Sequence, residues 1–202
     1  MLLTVARLVP RKGHKVSIAA FAKICGEIPS AHYLIVGTGP EEEKLRAMVK
    51  EAGIENRVTF AGFVSGEDLP DIYNVCDVML MANRQEENGD VEGFGIVFLE
   101  ANAAGKPVIG GRSGGAVEAV VDGVTGFLVN PDDADELAGI LRRLFLDRTL
   151  REALGEAGAN RVRSDFNWST RAERLKQINR ALFEHPETLS AGELVAGVSD
   201  KQ

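Results

Sequence analysis

The segment richest in chemistry is Glu92-Gly93-Phe94-Gly95-Ile96-Val97-Phe98-Leu99-Glu100. One carboxylate stands on a polar loop, and a second sits among apolar residues that read as a helix. Glycines at 93 and 95 let the chain enter that helix with free backbone amides exposed, and such an end attracts anions. Val97 and Ala101 mark the face turned to the core. Glu100 is therefore expected to be partly buried, where a carboxylate needs hydrogen-bond donors. The hydroxyls of a sugar or a ribose are such donors. The spacing suits an anion site flanked by two accepting carboxylates; the alternative is a helix carrying an incidental acid.

Other segments compete. In Arg7-Leu8-Val9-Pro10-Arg11-Lys12-Gly13, Arg7 leaves a strand and Lys12 precedes the glycine that opens a helix. A planar fork and a point charge beside a helix N-terminus suit a diphosphate, and the alternative is a solvated basic turn. Gly37-Thr38-Gly39 opens like a dinucleotide fingerprint, but Glu42 stands where a third glycine belongs. A tight turn that lets a ligand or backbone come close is the better reading. Gly111-Arg112-Ser113-Gly114-Gly115 matches GxSxG between a strand and a helix, which makes Ser113 a candidate hydrolase nucleophile. Its only downstream histidine is His185, near the end of the chain. A loop offering amides to an anion fits that segment better. Asp133-Ala134-Asp135 resembles a metal-binding DxD, yet its place at a helix start favours capping.

These loops need a scaffold. The chain has 202 residues, enough for one sizeable core with an appendage. Short apolar runs at Leu2–Ala6, His32–Val36, Arg57–Phe60, Asp77–Met81, Val108–Gly110 and Gly126–Val129 read as six strands. Amphipathic stretches at Val16–Glu27, Glu41–Ala52, Gly66–Val75, Gly95–Ala104 and Gly115–Val121 read as the helices between them, with three more helical pieces from Asp133 to about Phe183. Strict alternation predicts an α/β fold, a doubly wound, Rossmann-like parallel sheet with helices on both faces. Candidate ligand loops are then those that follow the strands. His185 to Gln202 lacks a period and is expected to be a tail.

Composition narrows the function classes. With 30 acids against 23 bases the formal charge is −7, which disfavours nucleic acid as a partner. No run of about 18 apolar residues offers a transmembrane segment. Cys25 and Cys76 lack metal or disulfide spacing and read as two buried thiols in a reducing, cytoplasmic setting. The scattered His14, His32 and His185 define no zinc site.

Read together, the motifs resemble the donor-binding, carboxy-terminal half of retaining glycosyltransferases of the GT-B fold, specifically glycosyltransferase family 4. Glu92 and Glu100 match that family's E-x7-E motif, and the stretch EGFGIVFLEANAAGKPVI matches beyond the two acids. ARLVPRKG resembles the R-x4-K loop. VGTGPEEEKL, RVTFAGFV, GGAVEAV, GVTGFLV and FNWSTRAER follow in family order, covering about residues 1–183.

The resemblance implies roles. Arg7 and Lys12 would neutralise the donor diphosphate and stabilise it as a leaving group. Glu92 would contact hydroxyls of the transferred sugar, and Glu100 those of the ribose. Amides around Gly93, Phe94, Gly95 and Ile96 would hold sugar or phosphate oxygens. Gly37, Gly39 and the stretch from Phe60 to Phe63 would border the nucleoside. No cofactor is implied beyond the nucleotide-sugar substrate, and no metal. Transfer would retain configuration by front-face attack, the leaving phosphate taking the acceptor's proton. The EGFGIV stretch resembles mannosyltransferases and points toward GDP-mannose, with a UDP-sugar left open.

The domain is expected to span residues 1–184. An acceptor-binding N-terminal domain of the same enzyme has no counterpart in the chain, and the strand at Met1 reads as the cut point of an interdomain linker. The fragment is thus expected to hold donor-site residues without transferring sugar by itself. The final helix would lack its partner surface. Peripheral membrane contact by the full enzyme stays open. Two alternatives remain beside this reading: a serine hydrolase built on Ser113, and a non-catalytic nucleotide-sugar-binding or epimerase-like module on the same fold.

Overall fold

A computed structural model of the chain describes residues 1–184; the expected tail from His185 onward, and with it the His185 partner considered for Ser113, lies outside the described residues. Six strands form one sheet: β1 (Leu2–Val5), β2 (Tyr33–Val36), β3 (Val58–Gly62), β4 (Val78–Met81), β5 (Val108–Gly111) and β6 (Gly126–Val129). Every pairing is parallel and the order is β3-β2-β1-β4-β5-β6, so the expected doubly wound sheet is present. The register sets Leu2 beside Tyr33 and Met79 beside Val108.

Alternation along each strand divides the core in two. Leu2, Ile35, Leu80 and Ile109 point to one face. There they meet α1 (His14–Cys25), α2 (Glu42–Glu51) and α6 (Ala134–Leu146) through Phe21, Leu45 and Leu141. Leu3, Val36, Met79 and Met81 point to the other. That face is covered by α3 (Leu69–Val75), α4 (Ile96–Ala103) and α5 (Ala116–Ala119) through Tyr73, Phe98 and Ala116. Burial on both sides explains why LLTV and VMLM read as unbroken apolar runs. Thr4, the polar member of β1, bonds its hydroxyl to Leu80 O at 2.5 Å and Tyr33 Oη at 2.7 Å.

Helix ends differ from the sequence expectation for local reasons. α1 starts at His14 rather than Val16, because Gly13 in the left-handed region (φ 71°) is its N-cap. α3 starts at Leu69 rather than Gly66, since Ser65 and Asp68 close a turn through mutual hydrogen bonds. α5 is a single turn, and Val121 N–H leaves it to donate to Thr125 Oγ1 at 3.0 Å.

Residues 1–184 fall in two compact units. The sheet domain forms one compact unit, Met1–Asn160, which takes in most of α7 (Arg148–Asp165). A second unit begins at Arg161 and contains α8 (Trp168–Glu184). Within it the Phe166 ring lies 5.0 Å from each of the Arg161 and Arg171 guanidiniums. On α8, Leu175, Leu182 and Phe183 are exposed. Among the described residues no helix is long and apolar enough to cross a membrane.

Candidate functional site

The strand order places the site. The chain leaves β1 toward β2 on one side and later returns to β4 on the other. β1 and β4 are neighbours at this switch in strand order, so the loops that follow them start side by side at the carboxyl ends of the strands, where open α/β sheets bind ligands. Arg7 and Lys12 come from the first loop, and the segment from Glu92 to Ile96 from the second.

The first loop runs into a 3-10 turn at Pro10–Lys12 that ends on Gly13. A Cβ on Gly13 would overlap Ala82 O, so only glycine lets this loop lie against the end of β4. Arg84 N–H donates to Arg11 O at 2.8 Å and closes the seam. Lys12 Nζ then donates to Glu92 Oε2, and Arg11 Nη1 donates to the same oxygen at 2.9 Å. Arg11 Nε also lies 3.1 Å from Asp90 Oδ2. The Lys12 and Glu92 side chains are only 11% and 12% exposed, so the pair is largely shielded from water.

Arg11 joins this cluster, and the sequence reading passed over it. Its only signal there was adjacency to Lys12, and the turn that aims both cations at Glu92 is a tertiary feature. Arg7, by contrast, is exposed, and its guanidinium has no protein partner among the described residues. Its carbonyl accepts Nε2–H of the buried His14 at 3.0 Å. Burial lowers the pKa of that imidazole; the bond to Arg7 O opposes the shift. Nδ1 of His14 is buried without a partner.

The second loop is braced from behind. Asn83 is fully buried; its Oδ1 accepts Gly111 N–H at 3.1 Å and its Nδ2 donates to Ser113 O at 2.8 Å. Gly115 N–H donates to Glu92 O at 2.9 Å. Amides in the loop after β5 are thus engaged: Arg112 N–H with Val129 O and Ser113 N–H with Gly111 O, both at 2.7 Å. Four of the five amides expected to be available to an anion at 111–115 are thus held by protein acceptors. The loop's glycines serve backbone contact with the Glu92 segment, where any Cβ on Gly114 or Gly115 would strike Glu92 O or Gly93 O. Among the described residues Ser113 has no histidine partner; His14 serves Arg7 O, and His32 bonds Thr59 Oγ1 at 2.8 Å.

Gly95 caps α4 in the left-handed region (φ 82°), and no acid occupies the helix's first turn. The positive end of α4 therefore begins three residues after Glu92 of the Lys12–Arg11–Glu92 cluster. Gly93 and Ile96 are exposed there and Phe94 is half-buried. Further along α4, Glu100 accepts a hydrogen bond from Tyr73 Oη at 2.7 Å. On the β2 side, Gly37 and Gly39 carry no Cβ because Ala6 O and Leu8 O occupy that space. Leu8 N–H donates to Thr38 O at 3.0 Å, which binds this loop to the one bearing Arg7. Phe63, after β3, is 81% exposed.

Two other sequence candidates have structural roles. Asp133 caps α6, accepting Asp135 N–H and Glu136 N–H at 2.9 Å each, which accounts for the DxD pattern. Cys76 is buried and Cys25 only half-buried, a departure from the expected pair of buried thiols; both are free. Burial pushes the Cys76 thiol up to about 11.

The sequence model for the family described as "Glycosyl transferases group 1" matches residues 1–161, nearly the same span as the sheet unit. The chain belongs to the group 1 glycosyl transferases. A GDP-mannose-dependent α-(1-6)-phosphatidylinositol monomannoside mannosyltransferase of Mycobacterium tuberculosis is 41% identical over 180 residues, 89% of this chain and 47% of the relative. The mannosylfructose-phosphate synthase of Agrobacterium fabrum is 31% identical over 87% of this chain and 39% of its own length. This glycosyl transferase chain thus spans about half the length of curated relatives it matches. Among solved structures, Anabaena HepE in complex with UDP superposes with a TM-score of 0.80 at 29% identity, covering 90% of this chain and 48% of that one. The C-terminal domain of the group 1 protein LpcC from Francisella tularensis superposes at 0.75 with 26% identity, covering 83% of this chain and 86% of that domain.

Proposed function

We propose that this glycosyl transferase chain is the donor-binding domain of a retaining, metal-independent hexosyltransferase, with GDP-mannose as donor. The observation that carries the reading is the pair of cations Arg11 and Lys12 gathered on the Glu92 carboxylate, three residues before the Gly95 cap of α4. Arg7, on the same loop as these two cations, has no side-chain partner among the described residues. Such a set suits a diphosphate, and the cations and helix end can supply the charge stabilisation a metal ion would otherwise give. The names of the mannosyltransferase relatives support mannose, and the GDP-mannose-dependent ones support the guanine base.

In this mechanism Arg7 and Lys12 hold the diphosphate, amides from Gly93 to Ile96 hold sugar or phosphate oxygens, and Glu100 accepts from the ribose. Glu92 turns from Lys12 toward the hydroxyls of the transferred sugar. Gly37, Gly39 and Phe63 border the nucleoside. As the bond from the anomeric carbon to the phosphate oxygen breaks, a bond to the acceptor oxygen forms on the same face. The acceptor's proton passes to the departing phosphate. The acceptor would come from a second domain across the cleft, so the chain alone is expected to bind donor without transferring sugar.

Titration calorimetry with GDP, UDP, ADP and GDP-mannose tests the reading. GDP and GDP-mannose should bind in preference to UDP and ADP. Absence of heat with all four at millimolar concentration, on folded protein, would refute nucleotide binding. A preference for UDP would refute the donor assignment.

A further inference from the structure

Tyr73 is a buried titratable group that the donor reading leaves unused. It lies on α3, its side chain packed in the apolar layer with Phe98 and Ala101, and only 3% of the residue is exposed. Its hydroxyl nevertheless has a specific partner, Glu100 Oε2 at 2.7 Å on the neighbouring α4. Burial first, and the adjacent carboxylate second, push the phenol far above its ordinary range, so it remains a proton donor at any physiological pH. The second carboxylate oxygen, Glu100 Oε1, has no partner among the described residues and is open to solvent. It opens beside a cavity of about 440 Å³ between α3 and α4, whose walls include Leu69, Pro70, Ala103 and Ala104.

A glutamate carboxylate turns about a soft two-fold torsion and, left alone, samples many orientations. A donor fixed by packing removes that freedom at one oxygen and leaves the other presented in one direction. We infer that Tyr73 is a positioning residue: it clamps one oxygen of Glu100 so that the free oxygen is preorganised to accept hydroxyls of the nucleotide's ribose. This rests on the donor-domain reading, which assigns Glu100 to the ribose, and adds the residue that sets its geometry. An ordinary core tyrosine would need only some acceptor. Here the acceptor is a carboxylate of the site itself, with its second oxygen exposed and unpaired.

The test compares GDP with 2′,3′-dideoxy-GDP by calorimetry on the wild-type chain, Tyr73→Phe, Glu100→Gln and the double variant. Tyr73→Phe removes one oxygen and keeps the ring, so the packing is preserved. Wild type should favour GDP over the dideoxy compound by about tenfold or more, the scale of a hydrogen bond to a charged group. Tyr73→Phe should lose most of that ratio, weakening GDP while leaving dideoxy-GDP unchanged. In the Glu100→Gln background, Tyr73→Phe should add little. The ratio is read within each variant, so any partial unfolding affects both nucleotides alike and cancels. Equal weakening of both nucleotides, or a ratio unchanged by Tyr73→Phe, would assign Tyr73 a purely structural role. A wild-type chain that binds GDP and dideoxy-GDP equally would overturn this inference and spare the donor reading. A wild-type chain that binds no nucleotide would overturn both.

Discussion

Removing the Glu92 carboxylate should tighten the binding of free nucleoside diphosphate, even though Glu92 is proposed to contact the transferred sugar. In the unliganded protein Glu92 Oε2 takes hydrogen bonds from both Lys12 and Arg11. A diphosphate that engages Lys12 must therefore share it with, or take it from, a carboxylate. A unit negative charge about 6 Å from the phosphates, at an effective dielectric of about 40, repels each unit of phosphate charge by about 1.4 kcal/mol. Breaking a shielded ion pair adds in the same direction, since the two side chains are only 11% and 12% exposed. Against this, Gln at 92 still accepts one hydrogen bond. The net expectation for Glu92→Gln is about 1–2 kcal/mol, or about five- to thirtyfold tighter GDP. Lys12→Ala should act oppositely, weakening GDP by about tenfold or more. For GDP-mannose the gain should be smaller, because the proposed contact between Glu92 and the sugar is lost. Titration calorimetry in low-salt buffer reads all of these, low salt keeping the electrostatic term unscreened. If Glu92→Gln leaves GDP affinity within about twofold of wild type, or weakens it, then Lys12 is not the diphosphate's cation and the reasoning fails.

Two further outcomes follow from the scaffold. Gly13→Ala places a side chain in the left-handed region and against Ala82 O, a backbone atom that yields only if β4 or the loop moves. It should cost about 3–5 kcal/mol in urea unfolding, and a loss under about 1 kcal/mol would show that the seam relaxes freely. His14 is the pH-sensitive element. Its folded pKa lies below the ordinary 6.5, so the folded state resists a proton that the unfolded chain accepts. Its contribution to stability is complete above about pH 6.5 and is lost as pH falls through the lowered folded value. His14→Gln should flatten the fall in stability as pH drops below about 6.5. An unchanged slope in that variant would assign the dependence to other groups.

Much of this molecule is encoded locally. Six apolar runs alternating with amphipathic ones require a parallel sheet covered on both faces, because LLTV or VMLM can be buried in no other common arrangement. The ordered motifs around Glu92 and Glu100 placed the chain in its family without coordinates. Caps were legible too: Asp133 before α6 and Gly95 before α4 act through backbone groups a few residues away. The C-terminal division was harder to read. The helical pattern runs through α7 across the boundary at residues 160 and 161, so no break in local periodicity marks the division.

Tertiary structure alone decided the working connections within the site. Arg11 and Lys12 meet Glu92 across 81 and 80 residues, Asn83 braces Ser113 across 30, and Tyr73 holds Glu100 across 27. No short-range periodicity encodes such pairs. They arise because the strand order sets the loops after β1 and β4 side by side, and glycines at 13, 114 and 115 let backbones touch where a side chain would hold them apart. The loop at 111–115 shows the limit most clearly. Its composition offered amides for an anion, and the fold engages most of them with Asn83, Gly111, Glu92 and Val129, contacts made by segments distant in sequence as well as local ones. The sequence alone pointed to Lys12, Glu92 and Glu100 and missed Arg11 and Tyr73. Their partners, and the charges left free for a ligand, follow from the packing of distant segments.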